Sequence, residues 1–276
     1  MRRSEIVILL MVVGALAPQS AGAQTQPDSG QPALSSICTD RPTKSNYACT
    51  VDEGHFQYEA DIANGSSLHQ DGVTTTTWLI INPTIKYGLT PTIDLEANFS
   101  PFETLRIHDR NSGTTQDFSG VSDLYLRMKY NFLNTQNGIW QATLLPYIKA
   151  PTAPTGVGNG AVEGGLIMPV NYKLSDSLTL TTVPELDFLK NAANDGRHAN
   201  TAQLINLGWA IGSFTLYGEL WGDWNMDPSG TVAQASADTA LAYGVTPYLQ
   251  LDVGANFGLN KNTPNVQGYV GISQKF

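Results

Sequence analysis

The stretch SDLYLRMKYNF, Ser122 to Phe132, alternates without a break. Leu124, Leu126, Met128, Tyr130 and Phe132 fall on one side, and Asp123, Tyr125, Arg127, Lys129 and Asn131 on the other. A repeat of two belongs to an extended strand, whose successive side chains point to opposite faces. One face of this strand therefore needs an apolar neighbour, either a protein core or lipid.

The same pattern recurs on both sides of this stretch. In TIDLEANFS, Ile93, Leu95, Ala97 and Phe99 oppose Asp94, Glu96, Asn98 and Ser100. HFQYEADIA opposes Phe56, Tyr58, Ala60 and Ile62 to Gln57, Glu59 and Asp61, and YLQLDVGANF repeats the arrangement between Tyr248 and Phe257. Short turn sequences (Tyr87–Pro91, Leu133–Gly138, Lys173–Ser177, Gly212–Ser213, Gly244–Pro247) alternate with longer polar stretches at Asn64–Val73, Glu103–Ser119, Ala150–Ala161, Asn191–His198, Asn225–Ser236 and Gly258–Pro264. That regularity predicts an all-β fold: a transmembrane antiparallel up-and-down β-barrel of about 12 strands over residues 54–276, with short turns on the periplasmic side and longer loops outside. A soluble β-sandwich would carry more charge and no such asymmetry of connections. The strand predicted over 199–211 alternates least, and its facing stays open.

Composition fits a barrel. Only 14% of the 276 residues are charged, against about 25% in soluble domains. The formal net charge of −9 excludes the basic patch that nucleic acid requires. The opening MRRSEIVILLMVVGALAPQSAGAQ has Arg2 and Arg3 before an apolar run, and Ala21-Gly22-Ala23 as a cleavage site. Residues 1–23 are therefore expected to be an export signal peptide, its apolar run being too short for a spanning helix. Residues 24–53 are expected to form a periplasmic N-terminal segment, disordered from Gln24 to Ile37. In an oxidising compartment Cys38 and Cys49 are predicted to pair as a disulfide. Neither has a nearby His at ligand spacing, so no metal and no cofactor is expected.

If the apolar face meets lipid, the other face lines the lumen. Candidate lining residues are Glu59, Asp61, Lys86, Asp94, Glu96, Asp123, Arg127, Lys129, Glu163, Glu185, Asp187, Glu219, Asp223 and Asp252. Their acidic excess disfavours anions and favours cations or neutral solutes. The alternative is that these charges pair across a narrow barrel and close it, leaving a structural or adhesive protein without transport. Trp78, Trp140, Trp209, Trp221 and Trp224 suggest a girdle at the lipid interface; Tyr125, Tyr147, Tyr217 and Trp221 are also candidates for an inward path. A barrel-borne lipase or protease is the enzymatic alternative. His69, His108 and His198 lie near Asp71, Asp109 and Asp195, but no nucleophile-elbow or zinc-protease motif accompanies them, and no enzyme is expected.

Three stretches carry a resemblance: CTDRPTKSNYACTVDEGHFQYEAD at 38–61, INPTIKYGLTPTIDLEANFSPF at 81–102 and FSGVSDLYLRMKYNF at 118–132. With Asp40-Arg41-Pro42, then Gly54, His55, Gln57 and Glu59, then Gly120, Asp123, Leu124, Lys129 and Tyr130, the chain resembles the bacterial outer-membrane transporter family labelled "putative MetA-pathway of phenol degradation". The resemblance implies an outer-membrane barrel passing small solutes, with hydrophobic or aromatic compounds as the class the label suggests. The expected partners are outer-membrane lipid, the barrel-insertion machinery and the small-molecule solute, in the cell outer membrane of a Gram-negative bacterium. The last residue, Phe276, closes a strand in register with Val266, Val270 and Ile272 and resembles the assembly signal read by that machinery.

Overall fold

The computed structural model describes residues 34–135 and 138–276. The expected signal peptide at 1–23 and the polar stretch to residue 33 lie outside the described residues. Among the described residues fifteen strands form the fold: β1 (Phe56–Gln70), β2 (Val73–Thr90), β3 (Ile93–Asn98), β4 (Phe102–Asp109), β5 (Thr114–Gly120), β6 (Leu124–Asn134), β7 (Trp140–Ala150), β8 (Glu163–Ile167), β9 (Val170–Lys173), β10 (Leu178–Lys190), β11 (Arg197–Ile211), β12 (Phe214–Asp227), β13 (Gly230–Thr246), β14 (Leu249–Gly258) and β15 (Val266–Lys275). Every pairing among them is antiparallel, and β1 hydrogen-bonds to both β2 and β15, which closes the sheet on itself. Three staves are interrupted, between β3 and β4, β5 and β6, and β8 and β9. The result is the expected closed barrel of twelve staves.

Alternation does what it predicted. On β6, Leu126, Met128, Tyr130 and Phe132 point out and are 41–47% exposed, while Lys129 is 1% exposed. A wall that displays its apolar side chains and hides its lysines is inverted relative to a soluble protein, as a lipid-facing barrel requires. Trp78, Trp140, Trp209 and Trp224 lie on the outer face. Trp221 does not: it turns inward against the plug described below, which corrects its place in the girdle.

Both ends of the strand run, Phe56 and Lys275, lie at one rim, here the near end. The short turns are at this rim, as expected. The far end differs from expectation. Residues 64–73, 103–119 and 225–236, read as loops, are largely strand, and their hairpins turn tightly at 71–72, 110–113 and 228–229. Asp71 and Gly72 both have positive φ (50° and 84°), the conformation a two-residue hairpin needs and Asp-Gly supplies. True loops remain at 151–162, 191–196 and 259–265. On β11, whose facing was open, Ile205, Leu207, Trp209 and Ile211 point out. Leu204 points in, packing with Leu145, Ile167 and Val183 beside Tyr147 and Trp221. This inward apolar cluster is what blurred the alternation there.

Candidate functional site: an occupied lumen

All fourteen candidate lining residues lie on the inner face, but what they face was not foreseen. The segment 35–52, expected to lie in the periplasm, enters the barrel at the near end and fills that half of the lumen. Cys38 and Cys49 are joined as predicted, with α-carbons 6.4 Å apart. The disulfide ties the two legs of a loop whose apex, around Pro42 and Thr43, reaches up the barrel. Ile37 N–H donates to the Pro247 carbonyl at a near-end turn (2.7 Å), and Lys275 reaches back to Ser35, Ser36 and Asp52.

Three charged residues of the segment carry the docking. Asp40 is clamped between Lys86 and Lys129, the latter at 2.8 Å, with Glu59 (2.6 Å from Lys86) and Glu96 (3.4 Å from Lys129) balancing the two ammonium groups. Burial works against a charged Asp40, yet Lys129 and Lys86 outweigh it and hold the carboxyl well below the usual carboxylate range. Arg41 forks onto Asp61 and Asp252, both at 2.6 Å, the two-pronged geometry guanidinium favours. Lys44 bonds to Asp238 at 2.8 Å and to Ser236 at 2.6 Å, its ammonium 4.7 Å from the centre of the Trp221 ring.

Wall carboxylates also accept backbone N–H groups that an irregular segment would otherwise leave unpaired. Glu59 takes that of Asp40 (3.0 Å), Glu219 those of Lys44 and Ser45 (3.1 and 3.2 Å), and Asp94 that of Val51 (3.0 Å). Asn171 takes that of Ala48, while Thr143 and Asn131 donate to its carbonyl. Thr39 meets Ser273, and Thr43 meets Asn206. The segment thus reaches every stave, β10 through Thr181, which bonds to Asn171 and stands within reach of the Tyr47 hydroxyl. Two wall glycines make room: a Cβ at Gly271 would overlap the Arg41 guanidinium, and one at Gly88 the Asp52 carbonyl.

The remaining candidates lie nearer the far end. Asp123 and Glu163 both hold Lys149 (3.1 and 2.6 Å). Arg127 lies 3.8 Å from Glu96 and over the Tyr125 ring. Asp187 accepts from Tyr147 (2.6 Å) and shares Asn200 with Asp223 (3.0 and 2.7 Å). Among the described residues, Glu185, Asp187 and Asp223 have no cationic partner within salt-bridge distance. Asp40, Arg41 and Lys44 were not among the candidate site residues. The visible signal for them was three charges confined between two cysteines.

An antiparallel barrel with an apolar outer belt, a charged inner face and its own N-terminal segment docked inside is an outer-membrane-type β-barrel with a plugged lumen. The chain belongs to the family described as "Putative MetA-pathway of phenol degradation", whose model matches residues 39–276. No curated protein matches the chain in sequence. In fold it is similar to the translocator domain of the autotransporter NalP from Neisseria meningitidis (13% identity, TM-score 0.51, covering 82% of this chain and 90% of that one). It is similarly close to the transport unit of the autotransporter AIDA-I from Escherichia coli (12% identity, TM-score 0.50, covering 82% and 91%).

Proposed function

We propose that the protein is an outer-membrane channel for small solutes, shut at its periplasmic end by the segment 35–52 and opened when that segment shifts. The near end is the periplasmic one, and passage involves no covalent chemistry. The observation that carries the reading is the docking itself. The segment is held mainly by polar and ionic bonds, which can be exchanged for water, with Tyr47 against Tyr217, Ala240 and Ala242 as a small apolar contact. The family description supports hydrophobic or aromatic compounds as solutes. The un-neutralised carboxylates Glu185, Asp187 and Asp223 favour cations over anions among charged ones.

A second reading is favoured by the breadth of the docking: bonds to nearly every stave suit a closed barrel that strengthens the envelope. Planar-bilayer conductance of the wild type beside Arg41→Ala/Lys44→Ala separates the two. The channel reading expects small or intermittent conductance that rises in the double variant. No conductance in either protein, with both migrating as heat-modifiable folded barrels, would establish the closed barrel instead.

A further inference from the structure

The far half of the barrel wall has a gap. Strand β5 pairs with β4 along its whole length, but among the described residues its other edge meets no strand. Pairing between β6 and β7 stops at Leu124 and Ala150, and β8 reaches β7 only up to Lys149 and Glu163. Residues 151–162 cross this gap as a loop. They hold to the wall by isolated bonds, Ala153 N–H to Asp123 (2.9 Å), Thr152 to the Ser122 carbonyl (3.1 Å) and Asn159 to Lys149 and Glu163 (2.7 and 2.9 Å), with no backbone ladder. Pro154 rests on Gly120 and Gly156 on Phe118. Phe102, Val121 and Val162, 43–50% exposed on the outer face, put the gap at the upper edge of the apolar belt.

Directly behind the loop lies a cavity of about 410 Å³. Leu79, the Tyr125 ring and Val157 form one apolar wall; the rest of the lining is polar and includes Glu103, Asn98, Asp123, Lys149 and Asn159. The ammonium of Lys149 is saturated by Asp123, Glu163 and Asn159. Asn98 spends its amide donor group on Asn82, Pro83 and Thr84. Glu103 has no hydrogen-bond or ion-pair partner among the described residues. The chemistry left over is thus accepting and anionic beside an apolar wall, which matches a molecule with an apolar body and a donor-rich cationic head.

We propose that this cavity binds amphipathic amines, which reach it sideways from the outer leaflet through the gap between β5 and β8 when the 151–162 loop moves. The inference rests on the outer-membrane placement proposed above and gives its channel a second, lateral mouth.

The test has two arms. In the first, the purified full chain is titrated calorimetrically with octylamine, octanol and octanoate. Octylamine is expected to saturate one site and octanoate to show none. Glu103→Gln should weaken octylamine at least tenfold and leave octanol unchanged. Val157→Trp, which fills the cavity from the loop without altering a strand, should abolish binding of both. Equal binding of amine and carboxylate, or indifference to both substitutions, overturns the site. In the second arm, Gly120→Cys is combined with Pro154→Cys, where the Cβ atoms would stand 3.8 Å apart, within disulfide range. Oxidation should slow loading of octylamine from vesicle lipid at least tenfold relative to either single cysteine, and an unchanged rate overturns the lateral route. Because titration reads binding and not passage, the two proposals fail separately. A barrel that binds the amine but conducts nothing refutes the channel and leaves the site; conduction without Glu103-dependent binding does the reverse.

Discussion

The guanidinium of Arg41 lies against the bare α-carbon of Gly271, in the space that any side chain at 271 would need. The docked segment and the wall are therefore fitted at a backbone position, besides being paired by charge. Gly271→Ala should push Arg41 off Asp61 and Asp252 at a cost of about 1–3 kcal/mol, the usual penalty of overpacking. The expected readout is more frequent opening in single-channel records with the barrel still heat-modifiable. Records identical to wild type would show that Arg41 does not latch the segment.

Asp40 neutralises two buried ammonium groups at once. Asp40→Asn leaves Lys86 and Lys129 facing each other with less counter-charge, and removing one partner of a buried ion pair costs about 3–5 kcal/mol. Near-end protease sensitivity of residues 35–52 should rise sharply while the strands stay protected. Equal protection in wild type and variant would count against this cluster as the anchor.

Acid should release the segment only late. Asp40 is held well below the usual carboxylate range by Lys129 and Lys86 despite its burial, and Asp52, against its own partial burial, is held down by Lys275 and Ser35. For a carboxyl lowered in the docked state, the stabilisation is complete above the undocked value of about 4 and is lost as pH falls through the lower docked value. Conductance should therefore stay low from neutral pH to about 4 and rise only below it. Opening that begins near pH 6 would assign the latch to other groups.

Reduction tests the staple. The Cys38–Cys49 bond closes a short loop, worth roughly 3 kcal/mol in the chain-entropy treatment. Cys38→Ser/Cys49→Ser should lengthen open times without altering the open-state conductance, because both residues lie at the base of the loop and not in the wall. A changed open-state conductance would mean the loop lines the path in both states.

Selectivity should follow the carboxylates that lack a cationic partner. With Glu185→Gln, Asp187→Asn and Asp223→Asn combined, the cation-over-anion permeability ratio should fall toward unity. Neutralising Asp94 and Glu96 should instead change gating, since Asp94 holds Val51 and Glu96 balances Lys86 and Lys129. A ratio that responds only to Asp94 and Glu96 would reverse these roles.

The barrel itself was legible from Ser122–Phe132 outward, because lipid on one side and polarity on the other impose a period of two. The same logic says only that Lys129 and Glu96 avoid lipid; it does not say what they meet, so the docked segment was invisible to it. Leu204 misled for a related reason. An apolar residue in the lumen is permitted when it has Leu145, Ile167 and Val183 as company, and alternation treats it as noise. The stretch 64–70 read as loop because it is polar on both faces, which suits strands that stand clear of the membrane.

Thr39 is bonded to Ser273, and Ser35 to Lys275, contacts separated by 234 and 240 residues. The start of the described chain is therefore tied directly to its very last strand. No partial sheet can neutralise Asp40, Arg41 and Lys44 together, since their partners sit on β1, β2, β6, β13 and β14. Full docking of the segment therefore needs strands from both ends of the sheet in place together. A barrel emptied of the segment would enclose a lumen of unpaired charge.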